Sequence, residues 1–446
     1  MSFDYDLFVI GAGSGGIAAA RRAASYGARV AIAERDSLGG TCVNRGCVPK
    51  KLFVYASRFA EQFQLAQDYG WSVEAGEFDW PHFIAAKDQE IGRLNQVYQR
   101  LLEDSGVTLL RGLAQFCDRH TLEVDGQTVT AEKILIAVGG KPRRPEIPGI
   151  EHAWVSDDIF HVPQQPRRIA IIGGGYIGVE FAGILQGLGS QVSLVVRDRL
   201  VLNHFDQDIR EHVQLSMASQ GVEIHTDTEA KAIERHDRGL TVWLTGEEPQ
   251  SLEVDGVLVA TGRVAHLGPL RLEAAGVTVE RGAIAVDAYS RTSQANIFAV
   301  GDCTNRRNLT PVAIAEGRAF ADTEFNQQPH HVSYHCIPSA VFSHPEAATV
   351  GLTEAEARAK IGDAVRCYRS QFRPLLHTLG HTTQVLLKLV VDGETDKVLG
   401  AHMVGEAAAE IIQGLAVALR LGATRSDLNQ TIGIHPSTGE EFFSMR

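Results

Sequence analysis

The sequence predicts an α/β fold with two Rossmann-like domains, one nested inside the other, and a C-terminal α+β domain. A glycine-rich turn between an apolar strand and a helix begins at Gly11, and the same unit recurs at Gly173. After Phe325 the pattern changes to alternating apolar segments at 384–391 and 398–404 and one long helix, which is typical of an α+β domain. At 446 residues the chain is also too long for a single hydrophobic core.

The first unit is a strand, a turn, a helix and a second strand, predicted over 5–10, 11–16, 17–26 and 29–33. A Gly-x-Gly-x-x-Gly turn in this order, with Glu34 closing the second strand, is the dinucleotide-binding fingerprint. Gly11 would form the tight turn, Gly13 would let the backbone approach a pyrophosphate, and Gly16 would let the helix pack on the strand. The N-terminus of the helix would face the phosphate charge, Ser14 in the turn is a further cofactor-binding candidate, and Glu34 can accept hydrogen bonds from ribose hydroxyls.

The second unit repeats this order over 168–172, 173–178, 179–188 and 192–196. Arg197 now stands where the first unit has Glu34. An arginine removes the acceptor for a ribose hydroxyl and supplies a cation for a 2′-phosphate. The first site therefore suits an adenosine with a free ribose, and the second suits NADP(H), with Arg199 as a further cation. The alternative is that Arg197 is a solvated surface cation.

Three later apolar strands run into glycine, at 133–140, 257–263 and 297–302. The proline-rich stretch 142–148 marks a boundary after the first strand, and 262–268 marks the return of the chain. We therefore expect domains over 1–141, 142–264, 265–335 and 336–446, with the first and third forming one unit. Asp302 could accept a hydrogen bond from a polyol chain such as ribityl, or it could be a plain turn residue.

Two cysteines, Cys42 and Cys47, directly follow the first fingerprint. A thiol pair beside a redox cofactor can store two electrons and pass them on by thiol–disulfide exchange. A structural disulfide or half of a zinc site is the alternative, but no second cysteine or histidine pair follows at metal spacing.

Histidines raise two further questions. His330, His331, His335 and Cys336 cluster, but their spacing fits no zinc pattern, so we expect a loop followed by a strand and no metal. In the closing segment, His435 could donate a proton to a leaving thiolate, and Glu440 could orient it. A single histidine can equally be structural.

Composition restricts the function classes. The net charge of −12 argues against nucleic acid or an anionic membrane as the main partner. No apolar run approaches the roughly 20 residues that cross a bilayer. The first strand begins so early that we expect no signal peptide, and six cysteines are too few for a disulfide scaffold. The cytoplasm is the expected compartment.

Taken together, the chain resembles the flavoprotein disulfide reductases over its whole length. The residues that carry the resemblance are both fingerprints, the segment 42–51, Gly301-Asp302 and the ending from His435 to Glu440. The resemblance implies FAD in the first nucleotide site, NADPH in the second, and reduction of glutathione disulfide to glutathione. It implies that Cys47 is the charge-transfer thiol against the flavin and Cys42 the interchange thiol that attacks the substrate. His435, held by Glu440, would be the acid/base and would come from the neighbouring subunit of a homodimer.

The resemblance also assigns roles to other positions. Lys50 and Glu180 would form a buried ion pair beside the flavin ring, and Tyr176 would gate the nicotinamide pocket. Further contacts with the two cofactors would come from Thr41, Gly139, Asp302, Thr310, Gly175, Ile177, Gly178, Gly262 and Arg263. The substrate would meet Arg21, Tyr98 and Arg318, since glutathione disulfide is anionic and its pocket should be cationic. Ala18 and Arg21 favour glutathione over the cationic substrate of trypanothione reductases.

Three residues depart from the family pattern. Gly178 stands where many NADPH-dependent members have alanine, and Asn203 stands where many have a second arginine. Arg45, between the cysteines, could lower the pKa of a thiol or simply face solvent, and we expect the latter. Two alternative functions are a flavin-binding redox sensor, against which the His435 and Glu440 pair argues, and a dihydrolipoamide dehydrogenase, against which Arg197 argues.

Overall fold

The computed structural model describes residues 3–74, 76–246, 250–380 and 383–445. Within them the chain forms two largely parallel sheets, each with helices on its faces, and an antiparallel sheet near the C-terminus. This confirms the predicted α/β class with a C-terminal α+β domain.

The first sheet is centred on the strand Tyr5–Ile10, and successive side chains of this strand enter different cores. Leu7 and Val9 join one hydrophobic cluster and Phe8 and Ile10 another, because side chains of a strand point alternately to the two faces of a sheet. Across the sheet the strands lie in the order Thr108–Arg111, Val30–Glu34, Tyr5–Ile10, Gln127–Ile136, Thr121–Val124 and Ala114–Phe116, and Ile297–Ala299 pairs in parallel with Gln127–Ile136.

The second sheet interrupts the first in sequence. Its strands lie in the order Glu223–His225, Gln191–Val195, Arg168–Ile172, Gly256–Val259 and Trp154–Val155, next to an antiparallel sheet of Ala230–His236, Gly239–Leu244 and Gln250–Val254. The chain leaves the first domain through Gly140–Pro142 and returns through Arg263–Ala265, and these two short strands pair with each other. On this arrangement we propose the domain division 1–141, 142–264, 265–335 and 336–446.

The C-terminal sheet is antiparallel throughout the described residues. Its strands lie in the order Ser339–Val341, Ala347–Gly351, Val398–Val404, Val385–Asp392 and Val365–Phe372. The helix Ala408–Arg420 packs on this sheet through Ile412, Leu415 and Leu419. A separate short hairpin pairs Val279–Glu280 with Ala283–Ile284.

The α-helices cover the sheets and join the first two domains. They are Ser14–Ser25, Gly40–Arg45, Cys47–Asp68, Trp80–Glu103, Tyr176–Gly187, Gln207–Ser219, Leu272–Ala275, Thr310–Phe325, Glu354–Ile361, Ala408–Arg420 and Arg425–Gln430. Phe53 on the third of these helices contacts Phe160, which contacts Phe181 on the fifth, with ring centroids 5.8 and 5.5 Å apart. The two nucleotide domains therefore share one hydrophobic core.

One helix contact offers a test of the packing. A Cβ atom on Gly317 would lie 2.4 Å from the carbonyl oxygen of Gly15, so the helices Thr310–Phe325 and Ser14–Ser25 touch backbone to backbone. We expect Gly317→Ala to separate these helices and to lower the free energy of unfolding by about 1–3 kcal/mol. The matched control is Gly92→Ala, because a Cβ atom on Gly92 meets nothing within 4 Å. Urea unfolding should show equal or slightly greater stability for the control, and an equal loss in both variants would contradict the packing argument.

Candidate active site

The two glycine-rich turns have the same backbone geometry. Gly11 and Gly173 have left-handed φ values of 101° and 122°. Gly13 and Gly175 then cap the helices that follow, with extended backbone and no side chain between the helix N-terminus and a ligand. Both helices begin three residues earlier than the sequence predicts, at Ser14 and Tyr176, because the turn residues after each cap are already helical. Both turns thus form the anion-binding end of a helix.

Gly178 is as tightly placed as its counterpart Gly16. A Cβ atom on Gly16 would lie 2.0 Å from the carbonyl oxygen of Gly11, and one on Gly178 would lie 1.9 Å from that of Gly173. An alanine at 178 would therefore require the second turn to move. The present backbone of this turn can therefore accommodate only glycine at position 178.

A cleft that opens to solvent begins at the first turn. Five of the residues expected to bind FAD line it, namely Gly11, Gly13, Glu34, Thr41 and Gly139. The carboxylate of Glu34 accepts hydrogen bonds from the backbone N–H groups of Ala12, at 2.8 Å, and Asp36, at 2.9 Å, which fixes it in the wall. No atom lies within 4 Å of a Cβ built on Gly139, so this wall leaves room for a ligand. The glycine turn and the fixed carboxylate that line the cleft fit FAD.

The cysteine pair lies on two consecutive helices. Cys42 is in Gly40–Arg45, and Cys47 is the first residue of Cys47–Asp68. A cysteine at a helix N-terminus is in a position that favours the thiolate. The Cys47 Sγ atom lies 3.6 Å from the Oγ1 atom of Thr310, and Thr310 is the first residue of the helix Thr310–Phe325.

The environment separates the pKa values of the two thiols. The hydrogen bond from Cys42, with further contributions from Thr310 and Lys50, lowers the pKa of Cys47 to about 6. The same hydrogen bond together with burial raises the pKa of Cys42 far above the usual range of a thiol. Near neutral pH, Cys47 is therefore a thiolate, while Cys42 is a thiol that needs a base to become a nucleophile.

The predicted ion pair of Lys50 and Glu180 is formed. The Lys50 Nζ atom lies 2.7 Å from the Glu180 Oε1 atom, and the Glu180 side chain is 4% exposed. The same carboxylate oxygen accepts a hydrogen bond of 2.9 Å from the backbone N–H of Phe342, and the ring of Phe342 lies 4.1 Å from the Lys50 ammonium. Sequence reasoning missed Phe342, because nothing in its local sequence indicates that its backbone meets a carboxylate from another domain.

Asp302 follows the strand Ile297–Ala299 on a 3₁₀ turn, Gly301–Thr304. The backbone N–H of Gly301 donates to the Glu316 carboxylate at 2.7 Å, which holds this turn in place. Burial raises the pKa of Asp302, although Arg263 opposes the shift. Asp302 is therefore an acceptor on a rigid turn near the end of the first sheet.

The second nucleotide site presents its cations to solvent. The Arg197 side chain is 73% exposed and lies 3.6 Å from Asp198, and Arg199 and Asn203 are exposed as well. Tyr176, the first residue of the helix after the second turn, is 48% exposed, with Ile177 next to it. The exposed side chains are free to meet a ligand that approaches the turn, whereas Ile177 is half-buried and packs against the hydrophobic core.

Two arginines have partners that the sequence did not reveal. Arg263 donates to the carbonyl oxygen of Gly140 at 2.7 Å and pairs with Asp157 at 3.3 Å, so it braces the crossover between the domains next to Gly262. Arg45 was expected to face solvent, and its side chain is 35% exposed, but it is also paired. It forms an ion pair with Asp36, on the wall of the cleft, and approaches Asp157 at 3.9 Å. Asp36 is nine residues away and is brought near only by the tertiary fold.

The expected substrate residues lie on the helices around the cysteine pair. Tyr98 lies on the helix Trp80–Glu103, and burial, with a smaller contribution from Cys42, raises the pKa of its phenol. Arg21 donates from Nε to the Ser105 hydroxyl at 3.0 Å, and Arg318 is exposed on the helix that Thr310 begins. The two arginines thus lie on two helices that pack against each other, Ser14–Ser25 and Thr310–Phe325, and their contact with a substrate stays a prediction.

His435 and Glu440 form the predicted pair. The Nδ1 atom lies 3.0 Å from the Glu440 Oε1 atom, and the imidazole is 82% exposed. The backbone N–H of Ser437 and the contact with His435 lower the pKa of Glu440, so it remains an anion that orients the ring. Among the described residues, the hydrogen bonds of His435 reach Glu440 and not the cysteine pair.

Comparison with known proteins decides the family. Residues 5–317 match the pyridine nucleotide-disulphide oxidoreductases, and residues 337–446 match the dimerisation domain of the same proteins. The chain belongs to this family. Similar members include the glutathione reductases of Nostoc sp., 56% identical over all of both chains, and of Burkholderia cepacia, 49% identical over all of this chain and 99% of the relative.

More distant members agree. The chloroplastic/mitochondrial glutathione reductase of Pisum sativum is 45% identical over the whole chain and 82% of that protein. The HOCl-induced flavoprotein disulfide reductase RclA from Escherichia coli has a solved structure that matches with a TM-score of 0.88 at 29% identity, over 99% of each chain. The oxidoreductase fold therefore extends over the chain from end to end, with FAD and NADPH as the cofactors of the family.

Neither a membrane-spanning helix nor a metal-binding cluster is present among the described residues. None of the described helices combines the length and the apolar character needed to cross a membrane. The described part of the chain also holds no group of three or more His, Cys, Asp or Glu side chains placed to bind a metal ion.

The pKa of Cys47 gives a testable prediction. In the reduced protein, alkylation of Cys47 by iodoacetamide, followed by peptide mass spectrometry, should lose rate as the pH falls through about 6. Thr310→Val removes one hydrogen bond to the thiolate, so its midpoint should move to higher pH. The matched control is Thr323→Val on the same helix, whose hydroxyl bonds to the His330 carbonyl instead. A wild-type midpoint near 8.5, the ordinary value of a thiol, would contradict the assignment.

Proposed function

We propose that the protein catalyses the NADPH-dependent reduction of glutathione disulfide to glutathione and so maintains the thiol balance of the cytoplasm. The observation that carries this proposal is the cysteine pair with its separated pKa values, set between two nucleotide turns. Full-length relatives called glutathione reductase, at 45–56% identity, support the choice of substrate.

FAD would be held by the first turn, Glu34, Thr41, Gly139, Asp302 and Thr310, and NADPH by the second turn with Tyr176, Ile177, Arg197, Arg199, Gly262 and Arg263. When bound, FAD supplies the two-electron link between the nicotinamide and the disulfide of Cys42 and Cys47. The Lys50 ammonium, anchored by Glu180, would stabilise negative charge that develops on the ring, because a fixed cation in a buried site acts at short range with little screening.

Reduction of the substrate is then a pair of thiol–disulfide exchanges. Cys42, as a thiolate, attacks one sulfur of glutathione disulfide, forms a mixed disulfide and releases the first glutathione. The Cys47 thiolate attacks the Cys42 sulfur, re-forms the Cys42–Cys47 disulfide and releases the second glutathione. The low pKa of Cys47 keeps it ready for this step, and the high pKa of Cys42 makes a base necessary for the first.

His435 would be that base, and then the acid that protonates the leaving glutathione thiolates. Glu440 fixes the Nδ1 atom, which leaves Nε2 for the proton transfer. Since the hydrogen bonds of His435 in the protomer do not reach Cys42, we propose that the site is completed across a homodimer. The neighbouring side chains Ile432 and Ile434, 94% and 81% exposed, favour an interface at this segment.

The activity assay tests the substrate and the coenzyme together. With glutathione disulfide, the protein should oxidise NADPH steadily and with higher kcat/KM than NADH, and it should be much slower with lipoamide or trypanothione. Arg197→Ala should lower kcat/KM for NADPH by about ten- to a hundredfold, the value of a charged hydrogen bond, and leave NADH unchanged. Preference for NADH or lipoamide would favour a dihydrolipoamide dehydrogenase, and absence of turnover would favour a redox sensor.

Mixed dimers test the shared site. Cys42→Ser and His435→Gln should each lower kcat by about a hundredfold or more as homodimers. After subunit exchange, a mixed dimer contains one site with both native residues. About a quarter of the wild-type activity should therefore return, because about half of the dimers are mixed and each has one intact site. If Cys42 and His435 acted within one subunit, exchange would restore nothing.

A further inference from the structure

A buried lysine in the C-terminal domain holds carboxylates of the NADPH-binding domain. Lys388 is 1% exposed, in the middle of the otherwise apolar strand Val385–Asp392. Its Nζ atom lies 2.7 Å from Asp206, 2.6 Å from Asp208 and 2.8 Å from Glu354. A charge at this depth is stable only when it is fully paired, so the four groups form one rigid cluster.

Asp206 is where this cluster meets the second nucleotide site. Its carboxylate accepts from the backbone N–H of Glu354 at 2.8 Å and from that of Asp208 at 3.1 Å, which caps the helix Gln207–Ser219. Asp206 is itself 1% exposed. Two of the groups that fix it, Lys388 and the Glu354 N–H, therefore belong to the C-terminal domain.

Residues 197–205, which directly precede Asp206, are called the coenzyme loop. It begins with Arg197 and Arg199, the cations proposed for the 2′-phosphate. Its middle is attached to the second glycine turn, because the Leu202 N–H donates to the Gly174 carbonyl at 2.8 Å. Arg210 holds it from the helix side through the carbonyl oxygen of Val201, also at 2.8 Å. The far end of the loop has Asp206 as its anchor.

We propose that Lys388 is a positioning residue for the coenzyme: through Asp206 it holds the loop 197–205 where its arginines can meet a 2′-phosphate. The C-terminal domain thereby sets the affinity for NADPH, in addition to its part in the dimer. This inference rests on the proposed use of NADPH. The expected ligand chemistry is a nucleotide with a phosphate on the ribose 2′-oxygen.

The test uses the full-length holoenzyme with Lys388→Met and Asp206→Asn. Asparagine can also cap a helix, so we expect Asp206→Asn to fold. This variant therefore tests the inference even if Lys388→Met does not fold. The dissociation constant of 2′,5′-ADP, measured by calorimetry, and the KM for NADPH should rise about five- to tenfold, a usual range for residues that act on a site through a connecting element. The dissociation constant of 5′-AMP, the KM for glutathione disulfide and kcat should change less than about twofold.

Arg369→Gln is the matched control. Arg369 pairs with Asp208 and Glu354 in the same cluster but does not contact Asp206, so this variant should bind 2′,5′-ADP as the wild type does. The inference would be overturned if the folded Asp206→Asn variant bound 2′,5′-ADP as tightly as the wild type. It would also be overturned if the variant lost the same affinity for 5′-AMP, or if Arg369→Gln lost the same affinity for 2′,5′-ADP. If the wild type binds 2′,5′-ADP no better than 5′-AMP, the proposed coenzyme itself is wrong.

Discussion

The carboxylate of Glu180 is the point on which the three domains meet. It lies on a helix of the second nucleotide domain, pairs with Lys50 on the helix that begins with Cys47, and accepts the backbone N–H of Phe342 in the C-terminal domain. A carboxylate this well buried is tolerated only with such partners, since removing one would leave a charge without compensation. Its geometry therefore requires all three domains to be in place. The redox helix can be positioned correctly only when the whole protomer is assembled.

The same principle recurs at the crossover and at the coenzyme loop. Arg263, which pairs with Asp157, braces the passage between the nucleotide domains by donating to the Gly140 carbonyl, and Lys388 fixes Asp206 from the C-terminal domain. Hydrophobic contacts such as those of Phe53 bring the domains together. The buried charges then define their relative orientation, because hydrogen bonds to charged groups allow little variation in distance and angle. Hydrophobic packing thus holds the domains together, and the buried charges determine how they are oriented.

Much of the fold and of the site could be predicted, where the information is local. The strand Tyr5–Ile10 and both glycine turns depend on residues adjacent in sequence; the strand forms as predicted, and the turns form at the predicted glycines, although the helices after them begin three residues earlier than expected. The pairs Lys50–Glu180 and His435–Glu440 were expected from the family resemblance, but the partners of other charged residues could not be predicted. Arg45 was expected to face solvent, yet it also pairs with Asp36, because the turn after the strand Val30–Glu34 and the helix Gly40–Arg45 bring the two side chains together. Lys388 interrupts an apolar strand, which signals a buried charge, but its partners come from two domains and no spacing in the sequence identifies them.

The exposed segment around His435 has a consequence for how the protein behaves in dilute solution. In the proposed dimer, the contact that covers Ile432 and Ile434 also delivers the imidazole to the other subunit's cysteine pair. Solubility and catalytic competence are therefore acquired in a single association step. A lone protomer would be inactive and would also carry an adhesive apolar surface. In this dimer only paired subunits would reduce glutathione disulfide, and a free protomer would have no partial activity.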